Sequence, residues 1–158
     1  MQTEIIIKMV FDRWNTSIQN CDNLLQILSD ETLMRQIAPG KNRGIYLLGH
    51  LIAVHDDMII LLGMGDKMYP ELNETFLKSP DNVMSQMPSV GDLRIYWKHQ
   101  CDLLKEKFSA ITNEEWFNKH TAVSEEDFVL EPHRNKLNNI ITRTTHLQYH
   151  LGQLILLK

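Results

Sequence analysis

The sequence predicts an all-α protein: a four-helix bundle with one long crossover connection and short extra helical turns. Three observations predict it. Four segments carry apolar residues at alternating spacings of three and four, the period of one buried helix face. No run shows the period-two alternation of β-branched residues that marks a strand. All five prolines fall between the four segments, and residues with helix-capping chemistry stand at the segment starts. At 158 residues, one domain covering 1–158 is expected, long enough to bury a real core.

The first segment runs from about Thr3 to Ser29, with its stripe at Ile7, Phe11, Trp14, Ile18, Cys21, Leu25 and Leu28. Ser29-Asp30-Glu31-Thr32 reads as a cap followed by acidic first-turn residues, and hence as a short helix. Ala38-Pro39-Gly40 is a break. Asn42 is the expected cap of the second segment, Arg43 to about Leu62, whose stripe is Ile45, Leu48, Ile52, His55, Ile59 and Leu62; Gly63 and Gly65 end it. Residues 63–88 form the long connection, with Pro70, Pro80 and Pro88 and no sustained period. Such a length is expected to cross the bundle or cover a site.

Ser89 and Asp92 resemble a capping box that opens the third segment, with Leu93, Tyr96, Gln100, Leu103, Leu104 and Phe108 facing inward. Thr112 to Glu115 cap a short turn that returns Trp116 and Phe117 to the core. Residues 118–134 read as irregular and polar. Asn135 caps the last segment, Lys136 to about Leu157, whose stripe is Leu137, Ile140, Ile141, Thr144, Leu147, Leu151 and Leu154.

Hydrophobic residues make up 43% and charged residues 23%, the balance of an ordinary globular chain. A net charge of −4 with scattered Lys and Arg excludes the basic footprint of a nucleic-acid binder. The N-terminus has no basic leader with a long apolar run, so no signal peptide is expected. Apolar stretches such as residues 58–64 are too short to span a bilayer, so no membrane association is expected. Cys21 and Cys101 have no CxxC spacing and read as buried thiols of a cytoplasmic protein.

Chemistry concentrates in the histidines, at 50, 55, 99, 120, 133, 146 and 150. His146 and His150 lie about 40° apart around the last helix, on a polar stripe with Asn139, Arg143 and Gln153. Such a stripe is commonly a solvated face; here it also suits the wall of a cleft. Two imidazoles at i and i+4 can converge on one metal ion, and a protein-held metal needs at least a third ligand. His50 and His55 both compete for that place. His55 lies on the apolar stripe of the second segment and His50 on its flank, and spacing does not decide between them. Arg143 and Tyr149 could orient a substrate or an anionic group, or simply face solvent. Asp56 and Asp57 could accept from a histidine N–H, or be solvated. His120 and His133 fall in irregular segments and are not expected to be ligands.

The segment Leu48-Gly49-His50-Leu51 and the run His146 to Gln153 (HLQYHLGQ) resemble the DinB/YfiT-like metalloenzyme superfamily. The family pattern is a GHL-type histidine on the second helix and HxxxHxGQ on the fourth. Order and spacing of the helices also fit, so the resemblance covers nearly the whole chain. It implies a left-handed four-helix bundle holding a divalent metal near one end through His50, His146 and His150. Zinc or nickel is the expected ion, with iron the next choice. Relatives in that superfamily include transferases and isomerases that use low-molecular-weight thiols such as bacillithiol or mycothiol; others carry only a metal.

The function expected is therefore a thiol-dependent S-transferase or a hydrolase, in which the ion activates a thiol or water for a small-molecule substrate. The alternative is a non-catalytic metal-binding or stress-related bundle that acts through a protein partner. The resemblance also implies a homodimer. Large apolar residues at Tyr96, Trp97 and from Met58 to Met68 are expected to supply its surface.

Overall fold

The structure, a computed structural model, describes residues 1–84 and 86–158. Among the described residues six α-helices follow in order: α1 (Gln2–Ile27), α2 (Asp30–Leu33), α3 (Gly44–Leu61), α4 (Val90–Ser109), α5 (Glu125–Leu130) and α6 (Lys136–Leu154). A π-helical turn at Glu74–Lys78 and 3₁₀ turns at Glu115–Phe117 and Ile155–Leu157 complete the fold. Among the described residues, extended pairing is limited to two isolated bridges, Gln36 with Arg43 and Lys119 with Asn135. The architecture is the expected all-α bundle of four long helices, with α1 on α6 and α3 on both α4 and α6.

Helix α3 is the centre of the bundle. Its 18 residues are apolar enough to cross a membrane by length and composition, although no single uninterrupted apolar run in it is that long. Yet 72% of it is buried inside the protein, because helices or loops cover it nearly all round. Leu48, Leu51, Ile52, Ala53, Met58 and Ile59 have no exposed surface.

The helix ends follow sequence chemistry in most places. Ser29 caps α2, Ser89 forms a full capping box with Asp92, and Asn135 caps α6. The end of α3 is a Schellman turn: Gly63 at φ 68° donates to the Ile60 carbonyl, and Met64 donates to the Ile59 carbonyl. The start of α3 departs from expectation. Asn42 does not cap it; the N-cap residue is Arg43, whose own side chain makes no cap bond. Asp81, from the crossover, accepts from the Arg43 backbone N–H at 2.7 Å and pairs with the Arg43 guanidinium at 2.6 Å. Burial alone would raise the Asp81 pKa, but Arg43's hydrogen bonds and charge hold the carboxyl below its ordinary value.

Arg94 of α4 ties the end of α1 down in a similar way. Its guanidinium donates to the Leu25 and Leu28 carbonyls at 2.5 and 2.6 Å and pairs with Asp30. Cations suit a helix C-terminus, where carbonyls lack intrahelical donors.

Several expectations are corrected. Residues 118–134 are not wholly irregular, since Ser124 caps the short helix α5. Trp116 packs against Phe11 and Phe108, but Phe117 stays exposed. Ile141 is also exposed, because α6 rolls its Leu137–Ile140–Leu147–Leu154 edge inward instead. Part of the apolar surface expected at a dimer interface packs inside the chain, where Trp97 and Met58 are buried and Tyr96 stacks on Tyr69 at 4.2 Å, while Met64 and Met68 are half-buried and Ile60 stays exposed. Cys21 is wholly buried, and burial pushes its thiol up to about 12.

Candidate metal centre

The site is assembled by α3, α6 and the crossover. Helices α3 and α6 run in opposite directions: His50, early in α3, meets His146 and His150, late in α6. At the other end Thr121, upstream of α6, donates to the Leu61 carbonyl at the end of α3.

Three imidazoles converge through the same atom. His146 Nε2 lies 3.2 Å from His50 Nε2 and 3.0 Å from His150 Nε2. One ligand nitrogen from each of the three lies within 4.8 Å of the others. Metal–nitrogen bonds of about 2.0–2.1 Å in a tetrahedral shell place ligand nitrogens about 3.3–3.4 Å apart. The two His146 spacings lie a few tenths of an ångström below that value.

The outer nitrogens are held in a way that favours a bound ion. His50 Nδ1–H donates to the Phe76 carbonyl at 2.8 Å, and His150 Nδ1–H donates to Gln153 Oε1 at 2.7 Å. Each bond fixes the tautomer that leaves the Nε2 lone pair free, the usual outer-shell support of a metal-binding histidine. His146 Nδ1 is buried with no partner. Burial, the facing His150 and His50 imidazoles, and Arg143 lower the His146 pKa to about 4. His150 is also lowered, chiefly by burial, with the Gln153 bond acting in the opposite sense. These histidines are thus kept neutral near pH 7, the form that binds metal.

Phe76 owes its place to Gly49. The ring lies against the backbone of α3 where a Cβ on residue 49 would overlap it. Glycine is required by this close approach rather than by its dihedral angles. Tyr46, one turn before His50, stacks parallel to its ring at 6.5 Å between centroids and donates to the Ser79 carbonyl at 2.7 Å. The crossover thus lies over the site, as its length suggested.

The remaining singled-out residues fall as follows. His55 is wholly buried, its ring 5.1 Å from Trp14 and 5.3 Å from Trp97, with neither nitrogen hydrogen-bonded. Burial first, then Arg143, His146 and His50, lower its pKa to about 3. Asp56 serves no histidine. It accepts from Gln100 Nε2 at 2.7 Å and from the Tyr69 backbone at 2.6 Å. Asp57 pairs with Lys67. Tyr149 contacts His150 edge-on but is 63% exposed, whereas Arg143 is half-buried. His99 and His133 are exposed, and His120 is half-buried away from the trio. Sequence reasoning missed Phe76, whose contribution is a backbone carbonyl and so has no side-chain signal. It also gave Gln153 no role beyond its place in the motif.

A groove of about 660 Å³ runs along α1 and α6, lined by Met9, Val10, Arg13, Ile141, Thr144 and Gln148. It lies on the flank of α6 opposite the histidines.

No family model matches the chain, and no curated protein matches it. Among solved structures, the fold is similar to the crystal structure of a conserved protein of a locus from Enterococcus faecalis. The two are 15% identical, with a TM-score of 0.65 over 94% of this chain and 92% of that one. At that identity the likeness establishes the fold alone.

Proposed function

We propose that the protein is a divalent-metal-dependent enzyme of the DinB-like type, with His50, His146 and His150 as ligands through Nε2. The observation that carries this reading is the convergence of three Nε2 atoms with two of the opposite nitrogens tied to fixed acceptors. Zinc or nickel suits three neutral imidazoles best, with iron next. A divalent ion held there would supply Lewis acidity to a thiol or water in the coordination positions the protein leaves open.

The chain's own groups have defined tasks. Phe76 and Gln153 hold two imidazoles in the ligating tautomer. Tyr46 and the crossover screen one side of the site. Among the described residues no cysteine joins the trio, since Cys21 is in the core and Cys101 packs against that same core from α4. A reacting thiol would therefore come from a small molecule, which favours a thiol-dependent transferase over a protein-thiol mechanism; hydrolysis is the other reaction the same site supports.

The test is elemental analysis of protein purified without a histidine tag, followed by thiol conjugation to an electrophile. One bound ion per chain and metal-dependent conjugation or hydrolysis are expected. Absence of any bound ion after incubation with zinc or nickel would reject the reading. A bound ion with no turnover of thiol or ester probes would leave a metal-binding bundle without catalysis.

A further inference from the structure

Three buried polar atoms without hydrogen-bond partners lie along one line of α6: Asn139 Oδ1, Arg143 Nε and His146 Nδ1. At about 100° per residue, Asn139, Arg143, His146 and His150 fall within about 60° of one another. On α3, His50, Val54, Asp57 and Leu61 form a matching line. The His50–His146 contact brings the two lines face to face. The metal centre is therefore one end of a longer polar seam, and Arg143 stands one turn along it.

Arg143 is half-buried, and among the described residues it makes no ion pair. Asp57 is near enough for its charge to act on Arg143, but its own ion-pair partner is Lys67. A guanidinium stays charged at any physiological pH, and a buried charge without a partner is costly. Lys67 takes the Asp57 carboxylate, and the Arg143 Nε–H is buried with no acceptor, so among the described residues the Arg143 fork has no acid group of its own. Tyr149, the other flanking residue, is mostly in solvent.

We infer that Arg143 binds an acid group, a carboxylate or phosphate, on the molecule that the three-histidine site acts upon. This rests on the reading of that site as a metal centre. The planar fork of Arg matches both kinds of acid with two parallel hydrogen bonds. The helix rise places Arg143 about 5 Å along the axis from His146 and about 10 Å from His150. The substrate class is thus a small acid whose anionic group is a few bonds removed from the atom that meets the histidines. Arg143 is a binding and positioning residue in this account.

The experiment uses the full chain, ¹⁵N-labelled and treated with chelator, so that its result does not depend on a metal. The Arg143 Nε–H resonance is assigned by its loss in Arg143→Lys. Acetate and inorganic phosphate are titrated separately at constant ionic strength. A saturable shift with a dissociation constant of about millimolar is expected for at least one of them, and the anion that acts identifies the acid. Arg143→Gln should weaken binding about tenfold or more, read by anion-dependent melting, with Arg143→Lys intermediate. Without anion, Arg143→Gln should melt at or above the wild-type temperature, because it removes an uncompensated charge. His50→Ala should keep anion binding, which separates this inference from the metal reading. No saturable shift, unchanged affinity in Arg143→Gln, or a fall in its melting temperature matching that of Asp57→Asn would overturn it. The last result would make Arg143 a structural partner of Asp57.

Discussion

His50 and His55 sit five residues apart on one helix and have opposite surroundings. His50 is half-buried, with one nitrogen on the Phe76 carbonyl and the other on His146. His55 is fully buried, clasped between two tryptophans, with both nitrogens unsatisfied. One is oriented by hydrogen bonds and the other by packing. A ligand needs a fixed lone pair pointing at a shared point, which packing alone does not provide. Depth in the core is therefore a poor guide to which histidine is chemical. The better guide is what its second nitrogen does.

The largest effect expected from breaking this arrangement is at His146, whose Nε2 lies within hydrogen-bond distance of the Nε2 of both His50 and His150. His146→Ala should weaken zinc binding by more than about 100-fold, beyond the range usual for outer-shell partners, as read by competition with a chelating dye. Gly49→Ala comes next. The added methyl must displace the buried Phe76 ring, at about 1–3 kcal/mol of overpacking, and with it the carbonyl that holds His50. Urea melts should show the stability loss, and metal affinity should fall in the same variant. If affinity is untouched, the Phe76 carbonyl does not orient His50.

His55→Leu probes the other side of the comparison. It removes two unsatisfied nitrogens while keeping the volume close, so stability at pH 7.5 should be unchanged or about 1 kcal/mol higher. The pH dependence has a definite sign. The folded pKa of His55 is depressed to about 3, whereas the unfolded chain titrates near 6.5. Above pH 6.5 both states are neutral. As pH falls below 6.5 the unfolded state takes up a proton first, and stability is lost progressively down to about pH 3. The gap between His55→Leu and wild type should widen by about 2 kcal/mol between pH 7.5 and pH 5. Chelator-treated melts at both pH values measure it, and a gap that narrows towards pH 5 would contradict the burial account. The smallest effect belongs to Gln153→Ala, which frees the His150 Nδ1–H. Zinc affinity should drop about tenfold with little change in apo stability.

Much of this architecture was legible in the sequence because its causes are local. Helix periodicity, the Ser29, Ser89 and Asn135 caps and the Gly63 stop all act within a few residues. The pairing of His146 with His150 is local too, being one helical turn. What spacing left open was decided by distant contacts. The choice between His50 and His55 depends on how α3 is rotated against α6, which turns His50 to the Phe76 carbonyl and His146 and leaves His55 between Trp14 and Trp97. Asp81 caps α3 from 38 residues away, so nothing beside Arg43 announces it. Neither alternative left open for Asp56 holds, for the same reason: it is buried, and its partners, Gln100 and Tyr69, come from α4 and the crossover. Trp97 and Met58, read as part of a dimer surface, are buried within the chain because a centrally placed helix needs covering on every side, which a single stripe does not reveal.

The account turns on His50 completing the site while His55 does not. The direct measurement is calorimetric zinc titration at pH 7.5 of tag-free wild type, His50→Ala and His55→Leu, side by side. Wild type and His55→Leu should each bind one ion with equal affinity, and His50→Ala should lose that binding. Zinc bound by His50→Ala with wild-type affinity, or lost in a folded His55→Leu, would contradict it.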